Sequence, residues 1–120
     1  MTPRDELFRT AVVDGGALGA VAIDVATRSS IAGFAHAELA SPALVELLLG
    51  AARPSGPLTR LCGGAPPGAA RELFVAGADR AVYCSVVEHR VLIIVATPVT
   101  MSVALGWALV RVLAAAEARP

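Results

Sequence analysis

The chain has no lysine, no asparagine and no glutamine, and its aromatic residues are limited to Phe8, Phe34, Phe74, Tyr83 and Trp107. All ten cationic side chains are therefore arginines, and ten Asp and Glu residues balance them to a formal net charge of zero. The arginines run singly from Arg4 to Arg119, with no two adjacent. No basic stripe exists to neutralise phosphates, which excludes nucleic acid as the expected partner. Histidine is confined to His36 and His89, and cysteine to Cys62 and Cys84. With no CxxC pair there is no ligand spacing for a metal, and both thiols read as small, reduced apolar residues. No metal or cofactor is implied. With so few aromatics, any core must be built from Val, Leu, Ile and Ala.

What is present is hydrophobic. Apolar residues make up 56% of the chain, and its mean hydropathy is +0.68. That excludes a disordered chain. A length of 120 residues predicts one domain over 1–120. A neutral, apolar chain also tends to self-associate. The charged N-terminus, Pro3-Arg4-Asp5-Glu6, has no apolar stretch behind it, so a signal peptide is not expected and the cytoplasm is the expected compartment. The run Val91 to Val110 carries no charge and is long enough to cross a bilayer. Its character changes halfway, however. Val91-Leu92-Ile93-Ile94-Val95 is β-branched, Thr97-Pro98 disfavours helix, and helical spacing begins at Val99. The expectation is a buried strand followed by a helix, with no membrane span.

The remaining elements follow from pattern and punctuation. Thr2 and Pro3 open a first helix with Leu7, Phe8, Ala11 and Val12 on one face, and Gly15-Gly16 ends it. Ala17 to Val25 reads as a central strand and Ser30 to Ala37 as its hairpin partner. Ser41-Pro42 opens a second helix that reaches Ala52. Pro54, Pro57, Pro66, Pro67 and the glycines among them make a long loop, with at most one helical turn at Leu58 to Cys62. Glu72 to Ala76, Arg80 to Val87 and Arg90 to Ala96 read as a three-strand meander. A final helix is predicted over Val99 to Glu117, with Trp107 either packed on the first helix or lying in a protein interface.

No segment carries a catalytic pattern. Gly15 to Ala20 places glycines before a strand, the reverse of a dinucleotide loop. Cys62 has no histidine or acid fixed beside it, and Glu88-His89 reads as a solvated hairpin tip. Asp14, Asp24 and Asp79 fall at element ends, where Asp favours turns.

The order αββαβββα resembles the roadblock/dynein light chain family. The residues carrying the likeness are Gly19-Ala20-Val21-Ala22-Ile23-Asp24, the helix Ser41 to Ala52, Glu72-Leu73-Phe74-Val75 leading to Asp79-Arg80, Val91 to Val95, and Ala104-Leu105-Gly106 with the helix that follows. Together they span about residues 4–117. The resemblance implies an α+β fold: a five-stranded antiparallel sheet with helices on both faces, two on one and the middle helix on the other. It also implies a homodimer formed through the middle helix and the third strand. Bacterial members of the family are similar to regulators of small Ras-like GTPases and contribute no catalytic residues of their own. A short middle helix and a Pro-rich loop after it depart from the family pattern.

Geometry adds a reason for pairing. On the middle helix, Leu44, Leu47, Leu48 and Ala51 form one stripe, expected to cover the sheet, and Val45, Leu49 and Ala52 form a neighbouring one. An isologous partner would bury the second. With what the resemblance implies for the middle helix and the third strand, the expected dimer interface is Leu44, Val45, Leu48, Leu49 and Ala52, with Phe74 from the third strand. Glu46 and Arg53, on the polar side, are expected to meet the GTPase. Two alternatives stay open: a structural adaptor dimer without effect on nucleotide hydrolysis, and a small cysteine-dependent enzyme.

Overall fold

The computed structural model describes residues 3–53, 56–64 and 71–118. Its elements are α1 (Pro3–Val13), β1 (Gly19–Asp24), β2 (Ser30–Phe34), α2 (Pro42–Ala51), α3 (Pro57–Leu61), β3 (Arg71–Ala76), β4 (Arg80–Val87), β5 (Val91–Pro98) and α4 (Val103–Glu117). The strands form one antiparallel sheet in the order β2-β1-β5-β4-β3. The uncharged strand β5 is central, and every residue from Val91 to Thr97 is buried. Among the described residues no helix is long and apolar enough to cross a membrane.

Alternation along the strands divides the core in two. Ala20, Ala22, Tyr83, Ile93 and Val95 face α1 and α4, where they meet Phe8, Ala11, Val110 and Leu113. Val21, Ile23, Cys84, Val86, Leu92 and Ile94 face α2, where they meet Val45, Leu48 and Ala52. Each large side chain fully buried in these layers contributes on the order of 1.5–3 kcal/mol. The helices thus lie on both faces, two on one and α2 on the other, as expected.

Local chemistry fixes the helix ends. Gly16, at φ +86°, lets the chain turn back so that the Ala17 N–H donates to the Ala11 carbonyl at 3.2 Å. The Ser41 hydroxyl accepts from the Leu44 N–H at 3.2 Å, and the Ser102 hydroxyl from the Leu105 N–H at 3.2 Å. At the far end of α4, the buried Glu117 carboxylate meets the Arg4 guanidinium at 2.8 Å, and the Glu117 carbonyl accepts from Arg90. Helix α1, the β4–β5 turn and the last turn of α4 are tied together there.

The contact between α4 and the sheet is close at one glycine. A Cβ on Gly106 would lie 2.2 Å from Cζ of Tyr83. The Tyr83 ring has no room to yield. It is fully buried, with Phe74 at 4.9 Å on one side and Trp107 edge-on at 5.1 Å on another. Trp107 therefore finds its ring partner on β4, with Arg111 5.7 Å above the indole.

Several boundaries differ from expectation. The last helix begins at Val103 rather than Val99, because β5 continues through Pro98 and Ser102 supplies the cap. Strand β2 ends at Phe34, since Ala35 takes a φ of +51° that no strand accommodates. The phase of α2 is also corrected. Val45, Leu48 and Ala52 face the sheet, whereas Leu47 is 69% exposed and Leu44 and Ala51 are only half-buried. The expected roles of Thr2, Pro54, Pro66 and Pro67 lie outside the described residues.

Two stability outcomes are expected. Gly106→Ala should destabilise the protein by about 1–3 kcal/mol in denaturant titration, despite the better helix propensity of alanine, because the methyl meets a fixed ring. Thr97 is fully buried and its hydroxyl has no hydrogen-bond partner. Thr97→Val should therefore raise stability, by about 1 kcal/mol, in the same assay.

Candidate protein-interaction site

Two surfaces on the α2 side stand out, one apolar and one a cleft lined by charged side chains. The first is apolar. Strand β3 is at the edge of the sheet and pairs only with β4, and an edge strand carries a row of backbone groups open to another chain. On it Val75 is 55% exposed, while Leu47 on α2 is 69% exposed and Leu61 and Leu58 on α3 are 83% and 48% exposed.

The structure places the sequence-predicted interface residues unevenly on this surface. Val45, Leu48 and Ala52 lie against the chain's own sheet and are core residues. Leu44 and Leu49 are half-buried beside them. Phe74 points to the opposite face of the sheet, where it meets Tyr83. The β3 side chain packed on the α2 layer is Leu73, one residue earlier. Helix and strand therefore meet through residues one step out of phase with those expected.

The second surface is a cleft of about 520 Å3 at the end of the sheet below α2. Its lining includes both residues expected to bind a partner, Glu46 and Arg53, together with Arg28, Arg71 and His89 over an apolar base of Val25, Leu49, Ala52 and Val86. The β1–β2 turn positions Arg28. The Asp24 carboxylate accepts from the Thr27 and Ala26 N–H groups at 3.0 and 2.9 Å. The Thr27 bond in particular holds the Asp24 carboxyl below its ordinary range. The turn then puts Arg28 at φ +64°, and its guanidinium reaches Glu46 on α2 and the Val25 carbonyl. The hydrogen bond from Arg28 lowers the Glu46 pKa.

On the other side, the Arg71 Nη2 donates to Nδ1 of His89 at 2.9 Å. The Arg71 Nε is buried without a partner. No ion pair holds Arg53 or Arg71 among the described residues. His89 reaches the cleft from a tight turn in which Glu88 and His89 both have positive φ, +53° and +56°. The Arg90 N–H closes that turn on the Val87 carbonyl at 2.9 Å.

Sequence reading identified Glu46 and Arg53 but not Arg28, Arg71 or His89. A signal was available. In an antiparallel sheet of hairpins, the end of β1, the start of β3 and the β4–β5 turn come to one end of the sheet, and each carries a basic or imidazole side chain there.

The two thiols lie apart from the cleft residues. Cys84 is buried in the α2 layer, where burial pushes its thiol up to about 11, far from a reactive thiolate. Cys62 is exposed at the end of α3. Neither thiol hydrogen-bonds a histidine or a carboxylate among the described residues, and no group of three metal-ligating side chains occurs among them.

This α+β architecture is shared with three solved structures. The chain is similar to MglB of Myxococcus xanthus, with a TM-score of 0.71 at 19% identity over 96% of this chain and 91% of that one. It is similar to an MglB with tetrameric arrangement, with a TM-score of 0.71 at 19% identity over 99% of this chain and 90% of that one. It is also similar to the gliding protein MglB from Thermus thermophilus, with a TM-score of 0.66 at 17% identity over 99% and 91% of the two chains. No protein-family model and no curated protein sequence matches the chain.

The β4–β5 turn gives a stability test. Two successive positive-φ residues are the geometry that Asn-Gly adopts with least strain. Replacing Glu88-His89 by Asn-Gly should raise stability by about 1 kcal/mol in thermal unfolding, while removing His89 from Arg71.

Proposed function

We propose that this chain is a non-catalytic, dimeric protein-interaction domain that binds a Ras-like small GTPase in the cytoplasm and regulates or scaffolds it. The observation that carries the reading is the match in fold to MglB structures over nearly the whole of both chains. One of those proteins has a tetrameric arrangement, which favours self-assembly here as well. The chain contributes surface rather than catalytic groups.

The dimer is proposed to form through α2 and the edge strand β3. Leu47, Leu61, Leu73 and Val75 present apolar area on that side, and a two-fold partner offering the same patch would cover it. Val45, Leu48 and Ala52 act indirectly by fixing how α2 lies on the sheet. Glu46 and Arg53 remain the proposed contacts for the GTPase.

The test is single-turnover GTP hydrolysis by a Ras-like small GTPase from the same organism, with and without the protein. A change in rate of at least tenfold is expected. Firm complex formation with an unchanged rate would favour the adaptor reading, and no complex would defeat both. Leu47→Glu, which places a charge at an exposed position of the proposed interface, should weaken the complex at least tenfold in the same titration and leave the far-UV spectrum unchanged.

A further inference from the structure

From its charge and shape, we propose that the cleft below α2 is a docking site for an acidic, hydrophobic peptide segment of a partner protein. The chain as a whole is neutral, yet three guanidinium groups, Arg28, Arg53 and Arg71, converge on this one cleft against the single carboxylate of Glu46. Glu46 is committed to Arg28. Arg53 and Arg71 are left without a carboxylate among the described residues, and the Arg71 Nε is buried and unpartnered. A guanidinium without a carboxylate suits one brought by a partner, which it can engage with charge-assisted hydrogen bonds.

The base of the cleft decides the rest of the ligand. Val25, Leu49, Ala52 and Val86 offer an apolar floor, so a bare anion would leave it wet. At about 520 Å3 the cleft is the size of a site for a few side chains. A segment with one or two Asp or Glu residues next to an aliphatic or aromatic side chain satisfies both floor and rim.

Two cleft residues are held in strained backbone. Arg28 and His89 are non-glycine residues at φ +64° and +56°, and both come from turns. Such strain concentrates where a side chain must be held in place for binding. His89 holds Arg71 through Nδ1, and the β1–β2 turn holds Arg28. The cleft borders the proposed dimer face at Arg71, the first residue of β3, but extends to the other flank of α2. On the helical wheel Leu49 lies roughly 160° from Leu47, and Arg53 roughly 120°. A second copy on Leu47 leaves the flank bearing Arg53 open.

The cleft includes Glu46 and Arg53, so the inference rests on the proposed partner site and names the chemistry it takes, and its test uses no GTPase so that the two can fail separately. A display library of random twelve-residue peptides is selected on the full chain, and the selected peptides are synthesised and titrated by fluorescence anisotropy. Enrichment of Asp or Glu beside Leu, Ile or Phe is expected. Affinity should fall at least tenfold in Arg53→Glu, at least tenfold in Arg71→Ala, and also when the peptide acids are changed to amides. Leu47→Glu should leave peptide affinity within twofold. Arg53 is exposed, so its variant is expected to fold, and far-UV spectra check both variants. The proposal is overturned if no peptide is selected, if the selected peptides lack acidic enrichment, or if the arginine substitutions leave affinity unchanged. It is equally overturned if phosphatidylserine vesicles bind with the same arginine dependence while the peptides do not.

Discussion

Burial of β5 on both faces sets the arrangement of the layers. A strand that is apolar from Val91 to Ala96 on either side is stable where helices cover both sides of the sheet. With β1 and β4 as its neighbours, it passes the same requirement to Val21, Ile23, Cys84 and Val86 on one face and to Ala20, Ala22 and Tyr83 on the other. Helices α1 and α4 meet the second demand jointly, at close range where Gly106 sits on Tyr83. Helix α2 meets the first alone. The asymmetry has a consequence at β3, which lies at the edge with Val75, Ala76 and Phe74 exposed.

The functional surfaces lie where this coverage is incomplete. One helix of ten residues cannot cover five strands, so β3 and the outer side of α2 stay apolar and open. At the end of the sheet, the shortness of α2 leaves a cleft into which three turns or strand ends direct basic side chains.

How much of this was legible depended on how distinct each pattern was. The order of elements was legible because Ser41-Pro42, Gly15-Gly16 and the glycine and aspartate turns mark their ends chemically. Layering was expected from the family resemblance, and the burial of β5 on both faces agrees with it. The phase of α2 was not legible, since its apolar residues cover most of the helix circumference and hydrophobicity does not say which stripe meets the sheet. Val45 and Leu48 take that place, and Leu47 is left outside. Phe74 was ambiguous for the same reason: Leu73, Phe74 and Val75 are all apolar, so alternation does not assign a face. Arg28, Arg71 and His89 lie far apart in the chain, and only the register of the sheet brings them together.

Sedimentation equilibrium of the unmodified chain at micromolar concentration tests most directly whether a second copy completes the α2–β3 surface. The structure predicts a species of twice the 12.2 kDa chain mass, or a higher even multiple. A single species at 12.2 kDa across that range would contradict it, and would leave the exposed apolar face of α2 and β3 without its proposed partner.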